Sequence, residues 1–262
     1  ESSQRLKAVS TQDKLRRTVL HCCVIRPENF ETVPKVVLEL LSEAQRSQVV
    51  IMLDARQQTV LHYVVKSVNS LRAILELLPE SDRVRAVSTN CLLHRAACVA
   101  DPEPIKYLCS LFPESQCFHA LNTCTVNGDT VLHCAAREGR LEHIRFMLSL
   151  LPAPLHLRAI IVFTQEENTV VHCAASSGNI ELMKLILGSI PEELLFEAVS
   201  TKNRFGSTAL HKAIMSSDRE MIKLVLSHYP ELERYRAMED KSVGSALKVA
   251  GFTPDYVMDH LL

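Results

Sequence analysis

Six times along this chain a Thr or Cys stands three residues ahead of a His. The copies read TVLHC at 18–22, TVLHY at 59–63, CLLHR at 91–95, TVLHC at 130–134, TVVHC at 169–173 and TALHK at 208–212. A degenerate SALKV follows at 245–249. From His94 onward the steps to His133, His172 and His211 are 39 residues each. A motif returning in register constrains the fold strongly. One unit of this size cannot bury its apolar face alone and must stack on its neighbours.

Two more anchors keep the same step. Pro79, Pro113, Pro152, Pro191 and Pro230 each close a Leu-rich stretch, with Ser42 in the equivalent slot, and a small or apolar residue follows seven positions later. These are Val49, Ala86, Ala120, Ala159, Ala198 and Ala237. Pro with acids just behind it reads as a helix start, with Pro expected at the first helical position. The opening ESSQRLKAVST repeats PESDRVRAVST of 79–89, sharing Ser3, Arg5, Ala8, Val9, Ser10 and Thr11. It is read as the third helix of a repeat whose first two helices are absent, as in a piece cut from a longer protein.

The stretch NGDTVLHCAAREGRLEHIRFMLSLL, residues 127–151, resembles the ankyrin repeat: hairpin tip, T-P-L-H-x-A-A helix, Gly turn, second helix. NTVVHCAASSGNIELMKLIL and GSTALHKAIMSSDREMIKLVL match nearly as well. The resemblance implies an all-α, ankyrin-like helical repeat solenoid. Two departures matter. The Pro of T-P-L-H is Val, Ala or Leu here, and the period is 39 residues where ankyrin repeats have about 33. The surplus lies in the P-E-x-x-x-x-A stretch, so a short third helix is expected in each repeat.

The expected subdivision of this single array, 1–262, is the end of a preceding repeat (1–10) and then six repeats. These are 11–49, 50–86, 87–120, 121–159, 160–198 and 199–237, and a cap-like unit spans 238–262. About five residues are missing before CLLHR, which leaves a notch at repeat three. The LLPE, RAVST and TVLH style of these long repeats also resembles ankyrin regions of effector proteins that intracellular bacterial pathogens deliver into host cells. That resemblance implies a host protein as partner.

Composition narrows the chemistry. Apolar residues make up 47% and charged residues 23%, with net charge −1, so the chain can bury a core and has no global pull towards nucleic acid or anionic membrane. Nine cysteines, an odd count at irregular spacing, fit reduced thiols in a cytosol rather than a disulfide framework. No phosphate-loop, nucleophile-elbow or zinc-protease motif occurs. The histidines come one per repeat, so they are read as structural, each bonding its Thr and adjacent backbone, and no metal or cofactor is expected. Cys22, Cys134 and Cys173 follow the His directly and are read as small buried thiols. His94 and Cys98, at i and i+4 on one helix, are the only thiol–imidazole pair worth weighing as an enzyme site. They occupy ordinary first-helix positions, and the expectation is a non-enzymatic scaffold.

What is left for function is the concave face, where the resemblance places partner contacts on hairpin tips and the ends of first helices. Carried over by position, these are Lys14, Arg17 and Arg26 in repeat one, and Arg56 and Lys66 in repeat two. Repeat four supplies Asn127, Asp129, Arg137 and Glu138, repeat five Glu166, and repeat six Arg204, Phe205 and Met215. The first two repeats are basic on this face, whereas repeats four and five carry Asp129, Glu138, Glu166 and Glu167. A protein partner with the opposite gradient is expected to be oriented by it. Phe205 and Met215 are read as exposed apolar anchors.

Overall fold

The computed structural model describes residues 2–25, 33–254 and 256–257. Their regular structure is entirely helical, with no strand among the described residues. Helix α1 (Ser2–Ser10) leads, and we number the repeats that follow as proposed above. Repeat one holds α2 (Val19–Val24), α3 (Val33–Glu39) and α4 (Glu43–Val50). Repeat two holds α5 (Val60–Val64), α6 (Val68–Leu75) and α7 (Glu80–Val87). Repeat three holds α8 (Leu92–Cys98), α9 (Glu103–Ser110) and α10 (Glu114–Asn122). Repeat four holds α11 (Val131–Arg137), α12 (Leu141–Ser149) and α13 (Ala153–Ile160). Repeat five holds α14 (Val170–Ser177), α15 (Ile180–Leu187) and, after a 3-10 turn at Glu192–Leu194, α16 (Leu195–Ser200). Repeat six holds α17 (Ala209–Met215), α18 (Arg219–Ser227) and α19 (Glu231–Glu239), and α20 (Lys241–Val249) follows.

The expected third helix is present in each repeat, but its start differs by one residue from the expectation. Pro79, Pro152 and Pro230 are the N-caps, at φ near −55° and ψ from 141° to 148°, and the residue after each is the first helical one. The ring presets φ, and the extended ψ turns the carbonyl inward. There it accepts the first amides of the helix, Asp82 N–H on Pro79 at 2.9 Å and Glu233 N–H on Pro230 at 2.9 Å. Ser42 does the same for α4, with Gln45 Oε1 closing back on its amide at 3.1 Å. At the C-terminal end of α20's predecessor the pattern shortens. Asp240 ends α19 and caps α20 at once, so no hairpin tip intervenes.

The chain divides into two compact units, Glu1–Ala120 and Leu121–Leu262. In the first, α2, α5 and α8 pack in sequence, as do α3, α6 and α9, while α1, α4 and α7 make a third row. In the second, α11, α14, α17 and α20 pack in sequence, with α12, α15 and α18 beside them. The Ala pairs sit where first helices meet. Ala96, Ala97, Ala135, Ala136, Ala174 and Ala175 have no exposed surface. The stripe of α12 is apolar at helical spacing, and Ile144, Met147, Leu148 and Leu151 are buried.

Within each unit, histidines tie one repeat to the next. In repeat four the Thr130 amide donates to His133 Nδ1 at 3.3 Å, and the Thr130 hydroxyl lies 2.8 Å from the same nitrogen. An accepting Nδ1 leaves the proton on Nε2, which donates to the Asn168 carbonyl of repeat five at 3.2 Å. The same bridge runs from His21 to Gln58 O, His62 to Asn90 O and His172 to Ser207 O. His211 instead reaches the Ser242 hydroxyl at 3.0 Å. The structural reading of these histidines is therefore correct for the five repeats with Thr. The thiols that follow divide: Cys134 and Cys173 are buried as expected, whereas Cys22 is exposed. In repeats four and five the Arg137 guanidinium reaches across this row to within 4.0 Å of Cys173 Sγ. Repeat one has Ile25 at the matching position.

Two outcomes follow from this core. Burial, the main cause, pushes the pKa of His133 down to about 4 from the ordinary 6.5. The folded chain then binds fewer protons than the unfolded chain between these values, so the stability is fully present above pH 6.5 and is lost as pH falls towards 4. The advantage of wild type over His133→Gln in urea unfolding should shrink by about 3 kcal/mol between neutral pH and pH 4. A pH-independent difference would contradict the neutral imidazole assigned here. Ala135→Leu should cost about 1–3 kcal/mol by overpacking between α11 and α14, while Ala153→Leu at the exposed start of α13 changes the urea midpoint little.

Candidate functional site

The hairpin tips are built alike. Each opens on a short polar residue five positions before the motif Thr: Asp13, Asp54, Thr125, Thr164 and Asn203. Its side-chain oxygen accepts from the amide four residues on in all five tips, and in tips one, two, four and six from the amide two residues on, as Asp54 Oδ1 does from Arg56 and Gln58 at 2.7 and 2.9 Å. Asn203 Oδ1 accepts from Phe205 and Ser207 in the same way. Such side-chain closure is what lets Asp, Asn and Thr set a turn. Neighbouring tips are then joined by one backbone bond each. Ala55 N–H donates to Leu15 O, Gln165 N–H to Asn127 O and Arg204 N–H to Glu166 O, all at 2.9 Å.

These bonds place the sequence-predicted residues. Lys14 and Arg56 are exposed on tips one and two, and Lys66 is exposed just after α5. Arg26 lies outside the described residues. Arg17 is half-buried and held by Asp13, with Nε and Nη2 at 2.8 and 2.6 Å from Oδ2. That guanidinium is the main reason the Asp13 carboxyl sits below its usual range. In the second unit Asn127, Glu166, Arg204 and Phe205 are exposed on tips four, five and six, and Arg137, Glu138 and Met215 at the ends of α11 and α17. Phe205 and Met215 are 68% and 71% exposed, so neither packs against the chain that follows.

Asp129 corrects the expected charge map. It is buried to 8% exposure and its carboxylate is gripped by Arg137, with Nη2 to Oδ1 at 2.6 Å and Nη1 to Oδ2 at 3.3 Å. Its charge is neutralised by Arg137, so the outward acids on this face of the second unit are Glu166 and Glu167, with Glu138 exposed but 3.9 Å from Arg140 Nη2. Beside this pair is a recess of about 380 Å³ lined by Asn127, Asp129, Arg137, Thr164, Gln165, Glu166 and Asn168. Three of the lining side chains are braced: Gln165 Nε2 donates to Val126 O at 2.6 Å, Asn168 Nδ2 to Glu166 Oε2 at 3.1 Å, and Asn203 Nδ2 to Asn168 Oδ1 at 2.8 Å. The bracing role of Gln165 and Asn168 depends on the neighbouring tips, which one repeat's sequence does not reveal.

His94 is 5% exposed inside α8, and Cys98 is exposed at that helix's C-terminal end. Burial raises the thiols of Cys91, Cys109 (to about 12) and Cys173 (to about 11), so none of these three is poised as a thiolate. No group of three or more His, Cys, Asp or Glu side chains able to hold a metal ion occurs among the described residues. Among those residues no helix is long and apolar enough to cross a membrane.

A family model for ankyrin repeats, three copies, matches residues 61–159, 93–191 and 154–236. Together these cover well over half of the chain, which belongs to the ankyrin repeat family. Repeats of this family are generally protein–protein interaction modules and typically non-enzymatic scaffolds. A search of curated proteins finds no match.

The fourth residue of every full tip adopts left-handed φ: Arg16 at 57°, Gln57 at 59°, Gly128 at 77°, Glu167 at 59° and Gly206 at 75°. The position itself tolerates a side chain, as three tips show. Gly128 differs because a Cβ there would stand 2.8 Å from Gln165 N and 3.1 Å from Thr164 C, in the backbone of the next tip. At Gly206 nothing lies within 4 Å. Gly206→Ala should therefore lose only about 1 kcal/mol of stability, as added backbone strain. Gly128→Ala should lose clearly more, read as the larger fall in melting temperature. Equal falls would mean the tip-to-tip spacing yields without cost.

Proposed function

We propose that this chain is a protein-binding scaffold that engages its partner through hairpin tips and first-helix ends. The observation that carries this reading is the exposure of Phe205 and Met215. Two large apolar side chains, on tip six and at the end of α17, face solvent at 68% and 71% next to the polar tip row. Exposed aromatic and Met side chains ringed by polar groups are what hot spots of interfaces are made of. The partner-contacting set is Lys14, Arg17, Arg56 and Lys66 in the first unit, with Arg26 assigned to it by position alone. In the second unit it is Asn127, Arg137, Glu138, Glu166, Arg204, Phe205 and Met215, with Asp129 serving to hold Arg137.

The chain acts in a reducing cytosol, on the support of its nine unpaired cysteines among residues with no disulfide pattern. On the style of its long repeats it serves an effector of an intracellular bacterium, delivered into the host cell to bind a host protein. A eukaryotic cytosolic adaptor would use the same surface.

The test compares wild type with a Phe205→Asp, Met215→Asp variant in pull-downs from host-cell lysate, with the far-ultraviolet spectrum and melting temperature of both recorded. The expected outcome is a protein retained by wild type and lost by the variant, at melting temperatures within a degree or two. If the variant melts as much lower as its binding falls, these side chains hold the fold rather than a partner. Capture unaffected by the change would remove Phe205 and Met215 from the interface.

A further inference from the structure

Resting on the protein-binding reading above, we propose that unit Glu1–Ala120 carries a docking surface of its own for a short acidic segment with interleaved apolar residues. Five cations make this surface. Lys14 and Arg16 on tip one, Arg56 on tip two, Lys66 after α5 and Arg95 on α8 are all exposed. None of the five is in an ion pair among the described residues.

The acids encoded in the same tips do not offset them. Asp13 faces Arg17 and two tip amides. Asp54 is 2% exposed and accepts from the Tyr63 hydroxyl and the amides of Arg56 and Gln58. Burial alone would raise the Asp54 carboxyl, but those three donors outweigh it and hold it charged below the usual range. Both carboxylates work inside the tips, and the outward field is left to the cations.

Geometry joins these cations into one surface. The bond from Ala55 N–H to Leu15 O sets tips one and two edge to edge. Arg95 directly follows His94 as Tyr63 follows His62, on the packed helices α8 and α5, so it continues the same face inward. Leu15, Val19 and Ile25 interrupt the charges, at 54%, 38% and 44% exposure. A strand of nucleic acid is favoured by aromatic platforms. The exposed apolar groups here are aliphatic, and Tyr63 is half-buried with its hydroxyl on Asp54. Alternating cationic and aliphatic groups are complementary to a peptide of alternating carboxylates and aliphatic side chains.

The probe is a fluorescein-labelled peptide of alternating Glu and Leu, titrated with the whole chain by fluorescence anisotropy at low and high salt. Binding should weaken at least about tenfold in a Lys14→Glu, Arg56→Glu, Lys66→Glu variant, and should fall with salt in wild type. A Leu15→Ser, Ile25→Ser variant, whose changes lie at exposed positions, should weaken binding while keeping the salt dependence. Phe205→Asp, Met215→Asp should leave peptide binding unchanged. Undiminished binding by the charge-reversed chain overturns the proposal. So does poly-glutamate or a single-stranded oligonucleotide binding as tightly as the peptide. Self-association in sedimentation velocity that the charge reversal abolishes would assign the surface to a second copy instead. If no peptide binds while the Phe205-dependent partner is still captured, this surface fails and the scaffold reading stands.

Discussion

Everything else in this fold depends on a neutral imidazole with its proton on one particular nitrogen. The motif Thr is in extended conformation, with φ −82° and ψ 171° at Thr130, and its amide points at the ring. That amide fills Nδ1, so the other nitrogen must donate, and it donates out of the repeat. One side chain thus closes the start of its own helix and fastens the next repeat. The Thr amide bond is buried in every such repeat and the outward one is buried or half-buried, so losing either leaves a polar group poorly placed to find water instead. The Ala pairs follow from the same demand: a ring of this size spans two repeats only where first helices approach closely enough for Ala and not for Leu.

Because the tips are tied to the histidines, their chemistry is divided between holding and binding. The residue that opens each tip is bound to its own backbone, and in tips one, two and four a carboxylate is further engaged by Arg17, Tyr63 or Arg137. A charge map drawn from sequence alone therefore overstates the acids on this face. The partner surface proposed above is built from what these internal demands leave outward: exposed cations in one unit, and Glu166, Glu167 and two apolar side chains in the other, with Glu138 beside Arg140.

This division explains what was legible and what was not. The repeat period and the ankyrin resemblance sufficed for the helices and, in the repeats with Thr, for the role of the histidines, because those positions are set by the interface between repeats. The exposure of Phe205 and Met215 followed from their place on a tip and a helix end. The misreadings lie where a local contact decides. Pro takes the cap position because its preset φ and inward carbonyl serve the next amides, which no period reveals. Cys22 shares its motif slot with Cys134 and Cys173, yet it is exposed, because burial there depends on neighbours outside the motif. A recurring basic residue four places after the cap is likewise defined by a local contact. Arg46, Arg83, His156 and Arg234 all turn back onto carbonyls at the end of the second helix, as Arg234 Nε does on Leu226 and Tyr229. The carbonyls of Leu38, Leu148 and Leu226 already take the amide three residues on, and the side chain adds a second donor at a helix end whose dipole favours a basic group.

Repeat three shows how far the scheme bends. It lacks the tip residues and has Cys91 where the others have Thr, yet the unit does not end there. Asn90 and Cys91 take left-handed φ in succession, 46° and 63°, a conformation that costs about 1–2 kcal/mol per residue outside glycine. In return Asn90 does alone what a whole tip does elsewhere. Its carbonyl receives the bond from His62 at 2.8 Å, and its amide group donates to Gln57 O on tip two at 2.8 Å. Strain at two residues thus replaces a hairpin while the link between repeats survives. The tip row of the first unit consequently ends at tip two, and the first-helix face beyond it, where Arg95 stands, is uncovered. The surface offered there owes its shape to the missing residues as much as to those present.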